Sequence, residues 1–542
     1  MSRKDKASKG FLKKWHRWVG LLFSVFVINF CISGIILNHR DLFSCYDVCR
    51  TLLPKSYAIN NYNNGIIKGT LSLADDSLLC WGVSGCFIAD KGFNTFRDCN
   101  NGFDKGVDNR KICQIVRDKY NNLIAAAQKD VFIYDTIKSM WQKINLEGNK
   151  DRMTDVVVKG DTLFMVSRSN IYQSVYPYNE VKCKELKVPL DYKNRVSLFK
   201  TVWHLHSGAL FGITGRIIVD ILGIVLIFLS LSGIIYFFLP YHIRNRVKNK
   251  KQVKKESAFL RFNAKYHKKI GYKLIILTVL MALTGMCLRP PLMVPLVLNS
   301  TKALKFTALD NPNPFADKLR ALRYDEGSDS WLISTSEGFY TVKDLDNDSV
   351  VKIDNSPGVS PMGINVFEKN DDGTWLIGSF SGMYKWDIAK GKITDYFTGE
   401  IYKPVKGRPV GRNMISGISR DINDKTVVFT YDRGALEKLP QVPHILSNQP
   451  ISLWNVALEL HTGRLYTAFP EFLSVMFIFL SGVVLLLILI SGYIIMKKRK
   501  NKHIQNIHTD KAEENKTVVN KPKNNIYGKE NNNVNNKDII TK

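Results

Sequence analysis

Four histidines occupy equivalent places in two copies of one sequence pattern. "KWHRWVG" precedes the first apolar segment and "KYHKKIG" precedes the third, so aligning His16 with His267 keeps register through the segments that follow. In the same way "SLFKTVWHLHSG" lies on "SLWNVALELHTG", which places His206 on His461. Two opposed imidazoles can fill both axial positions of a haem iron, which leaves the iron for electron transfer rather than for oxygen chemistry.

The two copies run in the same direction, which implies a pseudo-two-fold axis along the membrane normal. Such an axis places equivalent residues at equal depth. We therefore expect His16 to face His267 at the cytoplasmic side and His206 to face His461 at the outer side, with one haem in each pair. A zinc site needs about four ligands around one ion. Because the four histidines divide between opposite membrane faces, one shared zinc site is excluded.

Arginines at the outer ends of the segments could hold haem propionates through bidentate pairs. Arg216 and Arg464 follow the outer histidines, and Arg40 and Arg289 end the first and third segments. The alternative for Arg216 is an ion pair with Asp220, four residues later on the same helix face.

Other residues near these sites are weaker candidates. His39 and His204 have no counterpart in the other copy. Gly20 and Gly271 lie one turn past their histidines, where a small residue would make room for a flat macrocycle or for close helix packing.

The elements that must position these residues are four apolar segments, each near the roughly 20 residues that cross a bilayer. They are Val19–Leu37, Ile217–Leu239, Ile270–Leu288 and Phe472–Met496. Short basic stretches flank them, and the positive-inside rule assigns those stretches to the cytoplasm. We expect a multi-pass protein of the bacterial inner membrane with both termini cytoplasmic. The net charge of +29 then reflects topology, so membrane lipid and not nucleic acid is the expected partner.

The predicted fold is membrane α-helical, with four transmembrane helices as two tandem repeats and an extracytoplasmic all-β, propeller-like domain built from two long loops. The first helix lacks a cleavage site and is expected to be retained. The predicted regions are a cytoplasmic basic tail (1–17), helix 1 (18–39), a periplasmic half propeller (40–203), helix 2 (204–240), a cytoplasmic basic loop (241–265), helix 3 (266–290), a second half propeller (291–458), helix 4 (459–496) and a disordered cytoplasmic tail (497–542).

The two outer regions contain six similar windows, in which apolar residues flank a Gly, Asp or Asn that suits a tight hairpin turn. The windows are 78–89, 123–134, 163–174, 331–342, 375–386 and 427–438. Their spacing of 40 to 52 residues is near the size of a propeller blade. We predict one propeller of about six blades, and the alternative is two separate small β domains. For Cys45 and Cys49 a local disulfide is favoured over a redox pair.

The stretches "WHRWVG…SG", "LHSG…SG", "YHKKIG…TG" and "LHTG…SG" resemble the PepSY-associated transmembrane family, which includes inner-membrane ferric-siderophore reductases. The resemblance covers the four helices, roughly a quarter of the chain. It implies two b-type haems with His16, His206, His267 and His461 as axial ligands, and electron delivery to a periplasmic ferric chelate for iron acquisition. The outer regions depart from the family because they show propeller-like repeats and no PepSY-like domain.

Three functions remain open. The first is a haem-based electron carrier that reduces a ferric chelate outside. Because the sequence has no GxGxxG fingerprint, the expected electron donor is a quinol or a redox partner protein. From His16 to the far end of its helix is roughly 30 Å, so the two haems should lie near opposite faces.

The second function is a non-catalytic, membrane-anchored propeller sensor or scaffold, although the cytoplasmic segments carry no effector domain. The third is a transporter, which the absence of paired broken helices disfavours.

Overall fold

The computed structural model describes residues 3–74, 76–149, 151–189, 192–403, 411–467 and 470–519. The last part of the predicted disordered tail, 520–542, lies outside the described residues. Within these ranges the α-helices are α1 (Arg3–Asn38), α2 (Arg40–Phe43), α3 (Leu198–Ser207), α4 (Gly212–Lys248), α5 (Lys254–Lys273), α6 (Ile275–Met286), α7 (Met293–Leu298), α8 (His444–Ser447), α9 (Leu453–His461) and α10 (Glu471–Val519).

Three helical stretches of the described chain are long and apolar enough to cross a membrane. They are Gly10–Asn38, Ala209–Lys248 and Phe472–Lys497. The third predicted segment is instead the pair α5 and α6, which pass the same test together but are bent by 67°. Leu274, with φ −99° and ψ 13°, interrupts the helical backbone between them. By length and composition, the described chain thus has three to four helices that could cross a membrane.

Several helix ends differ from the predicted boundaries. The basic N-terminal stretch is helical from Arg3. The predicted helices 204–240 and 459–496 are each divided, because α3 stops at a left-handed Gly208 with φ 76° and α9 ends at His461. The predicted disorder after residue 496 is wrong as far as Val519, where α10 ends. No glycine or proline interrupts the chain between Gly492 and Pro522, and both residue types are the strong helix breakers.

The spanning helices expose apolar side chains and bury small polar ones. Leu22 is 76% exposed and Ile221 is 53% exposed, as expected of side chains that face lipid. The buried hydroxyls include those of Ser33, Ser232, Thr284 and Ser491. Small residues with hydroxyls are typical of helix contacts inside membranes, and these four are central to the site.

The first outer region forms three four-stranded antiparallel sheets. A short strand β1 (Asp47–Val48) precedes them and β14 (Arg195–Ser197) follows. Sheet 1 consists of β2 (Gly69–Ser72), β3 (Ser77–Gly82), β4 (Gly85–Asp90) and β5 (Phe96–Asp98). Sheet 2 consists of β6 (Gln114–Arg117), β7 (Leu123–Ala126), β8 (Val131–Asp135) and β9 (Met140–Ile144). Sheet 3 consists of β10 (Met153–Lys159), β11 (Thr162–Ser167), β12 (Ile171–Val175) and β13 (Val181–Lys184).

The second outer region forms three further antiparallel sheets between β15 (Ser300–Lys302) and β27 (Ile451–Ser452). Sheet 4 consists of β16 (Leu319–Asp325), β17 (Ser330–Thr335), β18 (Gly338–Val342) and β19 (Val351–Ile353). Sheet 5 consists of β20 (Ile364–Lys369), β21 (Trp375–Ser379), β22 (Gly382–Asp387) and β23 (Lys392–Asp395). Sheet 6 consists of β24 (Ile415–Ile422), β25 (Lys425–Thr430) and β26 (Gly434–Ala435).

Each of the six predicted windows folds as the second and third strands of one sheet, joined by a short turn. The predicted turn position is a glycine with positive φ in four of them, from 81° at Gly434 to 137° at Gly382. Glycine adopts this conformation without the steric cost that other residues meet. Asp130 and Asn170 hold the same place in the other two windows and are not among the residues with positive φ.

The two outer regions form one large β domain. First strands of successive sheets contact one another, β2 with β6, β6 with β10, β10 with β16, β16 with β20 and β20 with β24, and β24 contacts β2. Asp155 on β10 accepts hydrogen bonds from the backbone N–H of Leu322 at 2.9 Å and from Arg323 at 2.5 Å, both on β16. Two further antiparallel pairs, β1 with β27 and β14 with β15, also join the regions. The alternative of two separate β domains is therefore wrong.

All nine cysteines of the chain have free thiols in the structure. The favoured disulfide between Cys45 and Cys49 is therefore not formed. The extended strand β1 lies between the two residues, and extended backbone holds them apart, whereas a disulfide needs Cα atoms within about 7 Å. The Cys49 thiol instead contacts the Thr51 hydroxyl at 3.1 Å.

Candidate functional site

The chain forms two compact units: one contains His16 and His267, and the other contains the β domain with His206 and His461. In the second unit, the helices that carry the histidines begin in the same way. Ser197 accepts a hydrogen bond from the N–H of Lys200 at the start of α3, and Ser452 accepts one from Asn455 at the start of α9. Serine is a preferred residue for this N-cap role. Each histidine then lies at the end of its short helix.

The predicted pair of His206 and His461 is brought together. Their ring centres are 6.1 Å apart and the ring planes meet at 49°. A bond from a metal ion to an imidazole nitrogen is about 2.0 Å long, so two imidazoles on opposite sides of one ion have centres about 6 Å apart. The observed spacing fits two axial ligands of one metal.

Hydrogen bonds set the tautomer of the outer imidazoles. His461 Nδ1 lies 3.0 Å from the Ser33 hydroxyl and 3.0 Å from the carbonyl oxygen of Phe30. Because a carbonyl can only accept, Nδ1 carries the proton and donates it, which leaves the Nε2 lone pair for a ligand. The Ser33 hydroxyl donates its own hydrogen bond to the carbonyl oxygen of Asn29, at 2.6 Å. His206 Nδ1 similarly contacts the Thr284 hydroxyl, at 3.1 Å.

In the other unit, His16 and His267 make the same kind of Nδ1 contact. His16 Nδ1 lies 2.9 Å from the Ser491 hydroxyl and 3.1 Å from the carbonyl oxygen of Ile488. His267 Nδ1 lies 2.6 Å from the Ser232 hydroxyl. Each of the four predicted histidines therefore bonds through Nδ1 to a serine or threonine on a different helix.

A glycine follows each of these hydroxyl residues and lies against the imidazole edge. A Cβ added to the glycine would lie 3.3 Å from His461 Cε1 at Gly34, 3.7 Å from His267 at Gly233, 3.0 Å from His206 at Gly285 and 3.1 Å from His16 at Gly492. At Gly34, Gly285 and Gly492 these distances are shorter than ordinary van der Waals contact, so the missing side chain lets the ring approach the helix; at Gly233 the distance is an ordinary contact. The Ser-Gly and Thr-Gly dipeptides are thus site residues, although the sequence analysis gave them no role.

The dipeptide was a visible signal, because it occurs in every predicted span. It is not sufficient alone: Ser481-Gly482 has the same letters, but a Cβ on Gly482 would meet Met286. Gly20 was predicted to make room for a macrocycle or for close helix packing, and it does not lie against an imidazole or another helix. No heavy atom lies within 4 Å of a Cβ built there, so Gly20 is not a close helix contact.

The predicted arginines lie in varied surroundings. Arg464 pairs with Glu459 at 2.7 Å, and Arg216 is exposed on α4. Arg40 binds the buried carboxylate of Asp108 through two nitrogens, at 2.5 and 2.6 Å. Arg289 is half-buried after α6.

Asp220, which lies in an apolar segment, gains a partner that sequence reasoning missed. It accepts a hydrogen bond from His39 Nε2 at 2.7 Å and one from Asn38 at 3.2 Å, so the ion pair predicted with Arg216 is not its role. His204, two residues before His206, packs edge-on against Trp203, and its Nδ1 is buried without a hydrogen-bond partner.

Among the described residues, no group of three or more His, Cys, Asp or Glu side chains could hold a metal ion. The histidines instead provide two imidazoles at 6.1 Å. This donor set suits a cofactor that brings its own equatorial ligands, as a porphyrin does.

A family model described as the PepSY-associated TM region matches residues 165–499. No curated protein matches the chain. Two similar solved structures are extracellular domains from B. thetaiotaomicron. One is named for a hybrid two-component system (9% identity, TM-score 0.33, 69% of this chain and 39% of that chain). The other is named for a one-component system (10% identity, TM-score 0.31, 70% of this chain and 39% of that chain). A third structure, named as a gluconolactonase, has 8% identity and a TM-score of 0.32 over 73% of this chain and 98% of that chain. This chain therefore spans about 39% of the extracellular domains it matches.

Proposed function

The chain belongs to the PepSY-associated TM region family, and from that premise we propose that it is a haem protein that carries electrons across the bacterial inner membrane to a ferric chelate outside. The observation that carries this proposal is the outer pair of imidazoles, with ring centres 6.1 Å apart. Iron acquisition is the purpose that such a reduction would serve.

The residues present fit two b-type haems. His206 and His461 would hold one, and His16 and His267 the other. A bound haem with two imidazole ligands supplies one-electron transfer without an open site for oxygen. The chain's own contribution is orientation. The Phe30 carbonyl, with the hydroxyls of Ser33 and Thr284, holds the outer rings through Nδ1 and leaves Nε2 for a ligand, and Gly34 and Gly285 give the rings space.

The proposal extends to architecture. We infer that the six sheets are blades of one propeller, three from each outer region, because the first strands contact one another in sequence and the last contacts the first. We also infer that the chain is a tandem duplication, supported by the matched serine caps of α3 and α9 and by the shared imidazole–hydroxyl contacts.

The direction of flow rests on topology. The basic flanks favour cytoplasmic termini, so the inner pair would face the electron donor, which we take to be a quinol or a redox partner protein. The β domain would then lie outside, where the chelate is reduced. A non-catalytic sensor or scaffold is the alternative, and it requires no haem.

Visible spectra of the purified full-length protein, with and without dithionite, test the proposal. We expect the split, sharpened bands of reduced six-coordinate haem and two haems b per chain in a pyridine haemochrome assay. A colourless preparation from haem-replete cells would overturn the proposal and favour the sensor or scaffold.

Replacing Ser33 by alanine and Thr284 by valine tests the positioning role of the hydroxyls. Each substitution removes one of the groups that contact Nδ1, while a backbone carbonyl oxygen, that of Phe30 for His461, remains as an acceptor. The imidazole becomes less basic, so we expect a more positive midpoint potential of the outer haem and about 10-fold weaker haem retention, the lower end of the effect of losing such a partner. Redox titration and haem-release kinetics measure the two effects.

Ser481→Ala is the matched control, because Ser481 is a buried serine before a glycine that packs on Met286. It should leave both quantities unchanged. Equal potentials in the wild type and in both test variants would show that the hydroxyls do not act on the histidines.

A further inference from the structure

Four cations gather near one end of the first strands of the β domain. Lys68 immediately precedes β2, Lys111 lies three residues before β6, and Arg152 immediately precedes β10. Arg40, the first residue of α2, lies close to Arg152, because the two side chains share Trp454 and Gln128 as neighbours. We refer to Arg40, Lys68, Lys111 and Arg152 as the basic cluster.

The two guanidinium groups of the cluster share their neighbours. The Arg40 guanidinium carbon lies 3.9 Å from the ring centre of Trp454 and that of Arg152 lies 5.4 Å from it. With its amide oriented to satisfy the network, the oxygen of the buried Gln128 accepts from Arg40 at 3.3 Å and from Arg152 at 3.2 Å. One ring and one amide oxygen thus hold two like charges together.

The cluster has too few acids to balance it. Asp108 pairs with Arg40, whose side chain is only 10% exposed, yet Arg40 Nη1 is buried without a hydrogen-bond partner. In the described part of the chain, no carboxylate forms an ion pair with Lys68, Lys111 or Arg152. Taking cations out of water without partners is costly, which makes the cluster a site that an anion would complete.

The titration of the cluster agrees with this geometry. Burial lowers the pKa of Lys111 to about 7, helped by the charges of Lys68 and Arg40, while Asp108 and the Cys113 thiol oppose the shift. Burial also lowers the pKa of Arg152 to about 9, with the charges of Arg40 and Arg168 adding to the effect and those of Asp108 and Asp317 opposing it.

We propose that the basic cluster binds a multiply charged carboxylate anion and, if the proposed function holds, that this anion is a ferric polycarboxylate chelate. Charge-assisted hydrogen bonds from guanidinium and ammonium groups suit carboxylate oxygens. The location suits electron delivery, because Trp454 and His461 lie on the same helix, α9. Seven residues separate them, which is about 10 Å along the axis.

Calorimetry on the full-length protein in detergent tests the site, with citrate, ferric citrate and inorganic phosphate as probes. We expect citrate and ferric citrate to bind more tightly than phosphate. Lys111→Gln and Arg152→Gln should each weaken citrate binding about tenfold, as expected when a hydrogen bond to a charged group is lost. Lys390→Gln, which removes an 80% exposed lysine, is the control and should bind as the wild type does.

The binding assay separates this inference from the proposed function. If citrate binds but ferric citrate is not reduced, the anion site stands and the proposed reductase falls. Wild-type citrate affinity in Lys111→Gln and Arg152→Gln would overturn the site, even if the protein reduces chelates. If anionic lipid binds through Lys111 and Arg152 and citrate does not bind, the inference is also overturned. The His206→Ala variant tests whether the basic cluster instead holds the propionates of the outer haem. We expect this variant to bind citrate as the wild type does.

Lys111 gives the site a pH dependence. The anion needs the protonated ammonium, and the pKa of Lys111 in the free protein is about 7, so citrate affinity should fall as pH rises from 6 to 8. Lys111→Gln should remove this part of the slope. Lys111→Met should also raise the melting temperature without citrate, because it removes an unpaired, desolvated cation. A lower melting temperature together with unchanged citrate binding would show that Lys111 is structural.

Discussion

Replacing either His206 or His461 by alanine should remove the outer haem and leave one haem per chain. The centres of the two imidazoles are 6.1 Å apart, so either change would leave a haem bound between them with only one of its two proposed histidine ligands. The inner pair should be unaffected, because His16 and His267 bond to Ser491 and Ser232. Pyridine haemochrome content and a redox titration, which should show one wave in place of two, measure the result.

His204→Ala is the matched control for this experiment. It lies on the same helix, two residues from His206, and its Nδ1 makes no hydrogen bond. We expect this variant to keep both haems. If His206→Ala or His461→Ala removed only the inner haem, the pairing inferred from the duplication would be wrong.

Replacing His16 by alanine should abolish the reduction of a ferric chelate by quinol while dithionite still reduces the outer haem. The outer site should persist, because its histidines rest on Ser33 and Thr284, neither of which the substitution touches. Electrons from a quinol would lose their entry point, whereas dithionite reaches the outer site directly. Stopped-flow spectra with each reductant, together with a ferrous-iron assay, separate the two routes.

His39→Ala provides the control for His16→Ala. His39 is a helix-end histidine that hydrogen-bonds to Asp220 and has no counterpart in the repeat, so quinol-driven turnover should survive its loss. Wild-type turnover from quinol in His16→Ala would rule out the path from the inner to the outer pair.

The histidines and the hairpins were predictable because each has a local signature. A repeated aromatic–histidine–basic pattern identified His16 and His267, and glycine at a required positive φ identified turns such as Gly382. The hydroxyl partners were not predictable, since Ser491 and His16 are 475 residues apart in sequence. Local spacing carries no information about such a contact.

Other features depend on packing that periodicity does not report. No proline near Leu274 marks the break between α5 and α6 in the sequence, and the apolar pattern continues across it. Asp220 follows Arg216 at helical spacing, yet its partner is His39, which lies between α1 and α2. The basic cluster is assembled from residue 40, at the start of α2, and from residues 68, 111 and 152, which lie in loops before three different strands. Only the fold brings them to one place.

The hydroxyl contacts also imply an order of events during synthesis. His206 and His267 bond to residues 78 and 35 positions away, so these supports can form once the third segment leaves the ribosome. His16 and His461 bond across 475 and 428 positions, so these contacts must wait until the second outer region and the helices after it have been synthesised. Under the proposed function, each haem would need one histidine whose support forms early and one whose support forms late. Cofactor insertion would then be a late step, and a ribosome-bound chain that stops before residue 452 should carry no six-coordinate haem.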